Sequence, residues 1–326
     1  MILVTGGTGY IGSHTVLFLR EKGQEVVIFD NLQKGHEAAA LGATVIQGDL
    51  SDEAALDGVF TRYPIDAVIH FAANSLVGES VEDPLKYYDN NVGGTMTLVK
   101  KMVQYNVKNL VFSSTAATYG EPVSIPIQET DPTTPTNPYG ETKLAIEKML
   151  NWCDRAYGLK YVSLRYFNAA GADPQGRIGE DHDLETHLIP IVLEAALGKR
   201  RSVAIYGDDY ATEDGTCIRD YIHVMDLAEA HFLALKKLES TSESGIYNLG
   251  NGQGFSVKEV IQACRRVTGK DIQAIVSPRR PGDPAVLIAS SDKAKAELSW
   301  RPKYPELDVI VEHAWRWHQA HPNGFE

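Results

Sequence analysis

Met1-Ile2-Leu3-Val4-Thr5-Gly6-Gly7-Thr8-Gly9-Tyr10-Ile11-Gly12 opens with a short apolar run, breaks at clustered glycines and passes into a helical pattern. Ile2–Thr5 reads as a strand and Ile11–Lys22 as a helix, so the glycines form the turn between them. Glycines at 6, 9 and 12 allow a tight turn, close approach of backbone to a pyrophosphate, and close packing of helix on strand. The first turn of such a helix, here Tyr10 and Ile11, presents free N–H groups and a dipole that favours negative charge. A bare glycine pattern can be simple turn punctuation. The strand–turn–helix context, together with Asp30 closing the second strand at about the 20-residue spacing of a ribose-binding acid, reads instead as dinucleotide binding. A carboxylate at Asp30 accepts hydrogen bonds from the adenosine ribose and repels a 2′-phosphate, which predicts NAD rather than NADP.

Outward from this turn, the first 165 residues alternate short β-branched runs with helical stretches. Further strands are expected at Glu25–Phe29, Thr44–Gln47, Ala67–Phe71, Leu110–Ser113 and Tyr161–Arg165; further helices at Glu53–Tyr63, Pro84–Tyr105 and Pro138–Ala156. That alternation predicts right-handed crossovers and a parallel sheet covered on both faces, an α/β doubly wound Rossmann domain over residues 1–168. After Asn168 a Gly/Asp/Pro-rich loop leads into less regular elements. Helices are expected at Glu185–Leu197, Val224–Leu238, Val257–Thr268, Lys293–Leu298 and Leu307–Ala320, and strands at Val203–Tyr206, Ile246–Asn248 and Ile272–Val276. Residues 169–326 thus read as a smaller α/β substrate-binding domain, some of whose segments after 200 pack back on the first.

The totals exclude several classes. With 326 residues, 43% hydrophobic and 23% charged, the chain is that of a globular protein with a large core. No apolar stretch approaches the roughly 20 residues of a membrane span, and the start carries no basic, apolar leader, so a cytoplasmic protein is expected. A net charge of −12 disfavours nucleic acid and anionic membranes. Cys153, Cys217 and Cys264 are far apart, without metal-ligand or redox spacing, and no metal is expected.

A second stretch carries candidate chemistry: Thr136-Asn137-Pro138-Tyr139-Gly140-Glu141-Thr142-Lys143. Pro138 suits the first helical position, which puts Tyr139 and Lys143 one turn apart on one face. An ammonium beside a phenol, whose free pKa is about 10, favours phenolate and makes a base. Among 15 tyrosines such a pair is also ordinary surface spacing, so its meaning depends on the redox cofactor predicted from the glycine turn. At the ends of the third and fourth strands, Asp49-Leu50 and Phe71-Ala72-Ala73 would line the ligand crevice against adenine and the cofactor's middle, or merely end their strands.

With Thr5–Gly12, Asp30 and the Tyr139/Lys143 pair in place, the chain resembles the extended short-chain dehydrogenase/reductase superfamily, and within it the UDP-glucose (UDP-galactose) 4-epimerases. The likeness runs end to end through Tyr87-Tyr88-Asp89-Asn90-Asn91-Val92, Leu164-Arg165-Tyr166-Phe167-Asn168, the run Asp208–Asp226, and Arg280-Pro281-Gly282-Asp283. The resemblance implies that Tyr139 is general base and acid, that Lys143 lowers its pKa and holds the nicotinamide ribose, and that Thr115 hydrogen-bonds the reacting sugar oxygen. It implies oxidation at C4 to a 4-keto sugar by tightly bound NAD, then re-reduction on the opposite face, with no net redox. It adds Asn31, Lys34, Gly35, Asn90, Ser113 and Phe167 to the cofactor contacts. For the nucleotide sugar it implies Asn168, His187, Leu188, Ala204, Tyr206, Arg219, Tyr221, Arg280, Asp283 and Leu287, with Arg219 and Arg280 as the diphosphate clamp. A homodimer pairing helices near Pro84–Tyr105 and Pro138–Ala156 is implied as well.

The chain departs from the family pattern in places. Thr115 stands where many members have Ser, which keeps the hydroxyl but restricts its rotamer. His187 replaces an asparagine, and reads equally as a structural helix histidine. Ser75 stands where some members carry Lys, and the segment after Asp30 is short. Leu287 is intermediate between the Tyr associated with plain hexoses and the small residues associated with N-acetyl sugars, leaving substrate breadth open. A 4,6-dehydratase would need an acid/base pair where Ala116-Ala117 stand. A broader hexosamine or a uronic-acid epimerase is a closer alternative; a non-enzymatic NAD-binding scaffold is opposed by Thr115, Tyr139 and Lys143 together.

Overall fold

The computed structural model describes residues 1–280 and 283–325; Pro281 and Gly282 of the Arg280–Asp283 motif lie outside the described residues. Strands β1 (Ile2–Thr5), β2 (Val26–Asp30), β3 (Thr44–Gln47), β4 (Ala67–His70), β5 (Asn109–Ser113) and β6 (Lys160–Tyr166) are all parallel, in spatial order β6-β5-β4-β1-β2-β3. Side chains alternate along β1: Leu3 packs on one face with Val27, Val68 and Leu110, while Val4 packs on the other with Ile28, Ile69 and Val111. Both faces are buried, as a crossover-connected parallel sheet requires. The order reverses between β1 and β4, which places a ligand crevice at their carboxyl ends.

Of the covering helices, α1 (Tyr10–Glu21) and α2 (Glu53–Arg62) match expectation, whereas the single helix expected over Pro84–Tyr105 is interrupted. Short helices α3 (Val77–Glu82) and α4 (Pro84–Tyr87) run into a π-helical turn, Tyr88–Gly93, before α5 (Gly94–Gln104). Buried Asn91 explains the break. Its side chain accepts from the Asn74 N–H (2.8 Å) and donates to the Asn74 carbonyl (3.0 Å) and Thr142 Oγ1 (3.1 Å), drawing the backbone out of register. Helix α6 (Pro138–Tyr157) then follows the sequence reading closely.

Beyond β6 the chain forms β7 (Asn168–Ala170), α7 (Leu188–Ala196), β8 (Val203–Tyr206) and β9 (Ile218–His223). Helix α8 (Val224–Thr241) packs on α1, and β10 (Gly245–Leu249) pairs with β6 to complete a seven-stranded sheet. The remaining elements are β11 (Gly254–Ser256), α9 (Val257–Thr268), β12 (Ala274–Ser277), β13 (Val286–Leu287), α10 (Asp292–Glu297) and α11 (Leu307–Ala320). Helices α7, α9 and α11 enclose a second core around Val192, Val260, Cys264 and Ile310. Strand β9, whose neighbours are β7, β11 and β13, was not anticipated, nor were those three short partners. Expected Glu185 is not helical because its carboxylate accepts from the Thr186 and His187 N–H groups, which turns the chain before α7 starts.

Candidate active site

Gly6 sits at φ +70°, and a Cβ there would fall 2.5 Å from the Ala72 nitrogen; a Cβ at Gly12 would fall 2.1 Å from the Gly6 carbonyl oxygen. Both positions are glycine because the protein itself leaves no room. Gly9 differs: its backbone is ordinary extended, φ −75°, and a Cβ there would meet nothing closer than 3.5 Å. Neither strain nor packing calls for glycine at 9, which leaves close approach of a ligand as the reason. Gly9 also starts α1 without any side-chain cap, so the first-turn N–H groups of Tyr10, Ile11 and Gly12 face outward for an acceptor. These residues fit a dinucleotide pyrophosphate.

Asp30 is buried and accepts from the N–H groups of Thr8 (3.0 Å) and Leu32 (2.9 Å), which fixes its carboxylate at the crevice rim. Asn31 donates to Asp49 (2.8 Å), and Asp49 also accepts from Ser51, so these two organise one wall. Ser51 hydrogen bonds hold the Asp49 carboxyl below its usual range. Gly35 packs on Thr8, Leu50 is buried against Gly94, and Lys34 is exposed nearby. Phe71 stacks at a tilt on His231, its centroid 4.6 Å away, and Ala72 donates its N–H to the Thr5 carbonyl (3.2 Å); Ala73 is half-buried beyond it. Asn90 donates to Asn91 Oδ1 (2.9 Å).

At the crevice floor stands His70, which sequence reading missed. Its ring bridges Thr5 Oγ1 (2.6 Å) and Thr95 Oγ1 (2.8 Å), tying β1 to α5; burial, with help from Lys143, holds it neutral with a pKa of about 3. A histidine at a strand end carries no signal of this in a lone sequence.

Asn137 caps α6 by accepting from the Gly140 N–H (2.9 Å), with Pro138 in the first turn. A Cβ at Gly140 would lie 2.6 Å from the Ala117 carbonyl oxygen, so glycine here lets α6 approach the turn after β5. That approach sets the Tyr139 phenol beside Thr115, whose hydroxyl accepts from the Ala117 N–H (3.1 Å). Lys143 is buried, donates to the Ser113 carbonyl (2.9 Å) and sits 6.0 Å from the Tyr139 ring centre. The Ser113 hydroxyl is shared with the Tyr166 hydroxyl (2.6 Å).

The electrostatics are not those expected of a ready-made phenolate. Burial pushes the Tyr139 phenol up to about 12, partly offset by Thr115, and burial brings Lys143 down to about 7 against the pull of Glu147. The protein alone therefore keeps the phenol protonated at neutral pH and its lysine at the edge of ionisation. Glu147, one turn below Lys143, is locked in a buried pair with Arg165 and accepts from Ser114 (2.6 Å), a network that the sequence did not reveal.

The second half of the site lies across the crevice. Leu287 and Phe167 both pack on Ala116, Tyr119 and Ile127, next to Thr115. Arg219 on β9 is paired with Asp283, and the Arg280 guanidinium stacks 4.0 Å from the Tyr206 ring centre. Arg280 and Asp283 line a cleft of about 590 Å³ together with Glu121, Tyr210 and Arg279. Ala204 and Tyr206 lie on adjoining β8, and Asn168 donates to the Asp220 carbonyl (3.2 Å). Tyr221 is instead buried in the α7/α9/α11 core. His187 precedes Leu188 at the start of α7; its half-exposed imidazole is depressed by partial desolvation, but Glu180 and Glu185 outweigh that and push it up to about 9.

A dinucleotide turn, a Tyr/Lys pair with a hydroxyl partner, and an arginine-lined cleft define a cofactor-dependent enzyme acting on an anionic ligand. The chain belongs to the NAD dependent epimerase/dehydratase family, whose profile matches residues 2–250. It is 68% identical to the UDP-glucose 4-epimerase of Halalkalibacterium halodurans, over 99% of this chain and 97% of that one. The solved UDP-glucose 4-epimerase of Bifidobacterium longum, in complex with NAD+ and UDP, is 42% identical and superposes with a TM-score of 0.93 over 99% of each chain. The UDP-Glc/GlcNAc 4-epimerase of Campylobacter jejuni is 44% identical with a TM-score of 0.86, over 98% of this chain and 99% of that one.

Proposed function

We propose that this chain interconverts UDP-glucose and UDP-galactose by oxidation and re-reduction at C4. NAD, held by the glycine turn and Asp30, would supply a reversible hydride acceptor at C4. Tyr139 takes the proton of the 4-hydroxyl and later returns it, while Thr115 holds the sugar oxygen. Since burial disfavours a phenolate, Tyr139 acts as base only when positive charge stands close, which Lys143 provides when protonated. Arg219 and Arg280 grip the diphosphate, and Asp283 holds Arg219 in place until then. The observation that carries this reading is the Tyr139 phenol set beside Thr115 with Ala116-Ala117 alongside: a proton can be moved at one oxygen, but positions 116 and 117 offer no acid/base pair for eliminating water. It is tested by incubation with UDP-galactose without added NAD, where the epimer ratio should move to equilibrium.

Asp30 sets a cofactor expectation. A carboxylate near a 2′-phosphate costs about 1–4 kcal/mol, so protein denatured after purification should release NAD and not NADP. Asp30→Asn should narrow the preference by at least about tenfold in titration; tighter NADP binding by the unaltered chain would contradict the assignment.

Leu287 sets substrate breadth. The ratio of UDP-N-acetylgalactosamine to UDP-galactose turnover should rise about tenfold in Leu287→Ala and fall about tenfold in Leu287→Tyr. Ratios unchanged in both variants would remove Leu287 from the sugar pocket.

A homodimer fits the exposed apolar side chains on the expected helices, with Leu85 78% and Trp152 65% exposed. Among the described residues no helix is long and apolar enough to cross a membrane, and all three cysteines are free, as suits a reducing cytoplasm.

A further inference from the structure

The loop before α7 gathers Glu180, His182, Glu185 and His187, with one ligand atom of each lying within 4.8 Å of all the others. The side chains of Glu180 and Glu185 are only 4% and 5% exposed, yet among the described residues their ion-pair partners are these two histidines and no lysine or arginine. Two buried carboxylates faced only by histidines are held together at a cost unless those imidazoles are protonated or an ion stands among them. His182 Nδ1 stands 3.2 Å from Glu185 Oε2 and 3.6 Å from Glu180 Oε1. His187 Nδ1 is 3.8 Å from Glu185 Oε1 and in direct contact with Glu180 Oε1. For metal bonds of about 2.0–2.1 Å, the edge of a tetrahedron is about 3.3 Å, so these separations already bracket a four-ligand shell.

Supports of the kind that orient metal ligands surround it. Glu185 Oε1 accepts from the Thr186 and His187 N–H groups (2.7 Å each), and Trp317 Nε1 donates to the Glu180 carbonyl (3.3 Å). His318 lies within the field of both carboxylates, and its buried Nε2 has no hydrogen-bond partner among the described residues. His187, half exposed, leaves a path from solvent.

We infer that Glu180, His182, Glu185 and His187 form a structural site for a divalent cation of the zinc class. Two imidazoles with two carboxylates suit zinc, whereas magnesium and calcium prefer all-oxygen shells. One ion would neutralise both carboxylates with neutral histidines. It would also fasten the loop to Trp317 on α11 and to Tyr10 at the start of α1, whose ring centre is 6.4 Å from that of His182.

The test uses tag-free full-length protein dialysed against a chelator, titrated with zinc chloride in competition with a chromogenic zinc indicator, with metal content read by plasma mass spectrometry. About one zinc per chain is expected, with a melting temperature raised by roughly 3 °C or more and no such rise with magnesium chloride. His182→Gln, a change in a partly exposed loop, and Glu185→Gln should each weaken zinc binding by at least about tenfold. Zinc content near zero, or an affinity unaltered in both variants, would overturn the site and leave the cluster as a proton-sharing network.

Discussion

Tyr139→Phe is expected to lower epimerisation of UDP-galactose by about two to four orders of magnitude while the protein keeps its fold. The change removes one oxygen and nothing else: the ring retains its place beside Lys143, and the neighbouring Thr115 hydroxyl keeps its bond from the Ala117 N–H. Because the phenol is held up to about 12 by burial, its loss also removes a desolvated polar group, so the melting temperature should stay level or rise slightly. Turnover and thermal unfolding measured on one preparation check both halves. Turnover within threefold of the parent would take Tyr139 out of the mechanism.

Lys143→Met should act in opposite directions on turnover and stability. Among the described residues Lys143 forms no ion pair; it rests on the Ser113 carbonyl and the Phe112 ring, and burial brings it from 10.5 down to about 7. The unfolded chain keeps that proton up to about pH 10, whereas the folded one loses it above about 7, so stability rises with pH between those values and the full penalty is present below pH 7. The upper bound of that penalty is roughly 5 kcal/mol, reduced by the hydrogen bond that Met cannot make to Ser113. Cofactor-free Lys143→Met is therefore expected to melt higher than the parent at pH 6–7, with the difference shrinking toward pH 10. Turnover should fall by about a hundredfold or more, since the cation that makes a phenolate possible is gone. A variant that melts lower at pH 6 than at pH 9 relative to the parent would mean that Lys143 is stabilising and paired.

The pattern of legibility follows from which interactions are local. Gly6, Gly9, Gly12 and Asp30 were readable because a strand, a turn and a helix start are contiguous, and six parallel strands follow from alternation and handedness; that β10 joins them as a seventh was not readable, because it arrives from the second half of the chain. Tyr139 and Lys143 were readable as neighbours because helical spacing sets them one turn apart. Their protonation was not: it depends on how deeply α6 is pressed onto the β5 turn, which Gly140 and Ala117 decide across the fold. The break in the helix after Pro84 was hidden for the same reason, since Asn91 reaches Asn74 and Thr142 rather than its own turn. Strand β9 shows a weak alternation in Ile218-Arg219-Asp220-Tyr221-Ile222-His223 that only its neighbours make a strand. Tyr221, named with the nucleotide contacts by likeness, points into a core that its own short alternation could not announce.

Hydrogen is expected to leave C4 of the sugar and return to that carbon within one bound cycle, with Tyr139 moving only the hydroxyl proton. UDP-galactose carrying deuterium at C4, incubated in ordinary water without added NAD and followed by NMR, tests it most directly. The UDP-glucose formed should keep its deuterium at C4. Loss of the deuterium to water, or conversion only when NAD is supplied at each turnover, would contradict it.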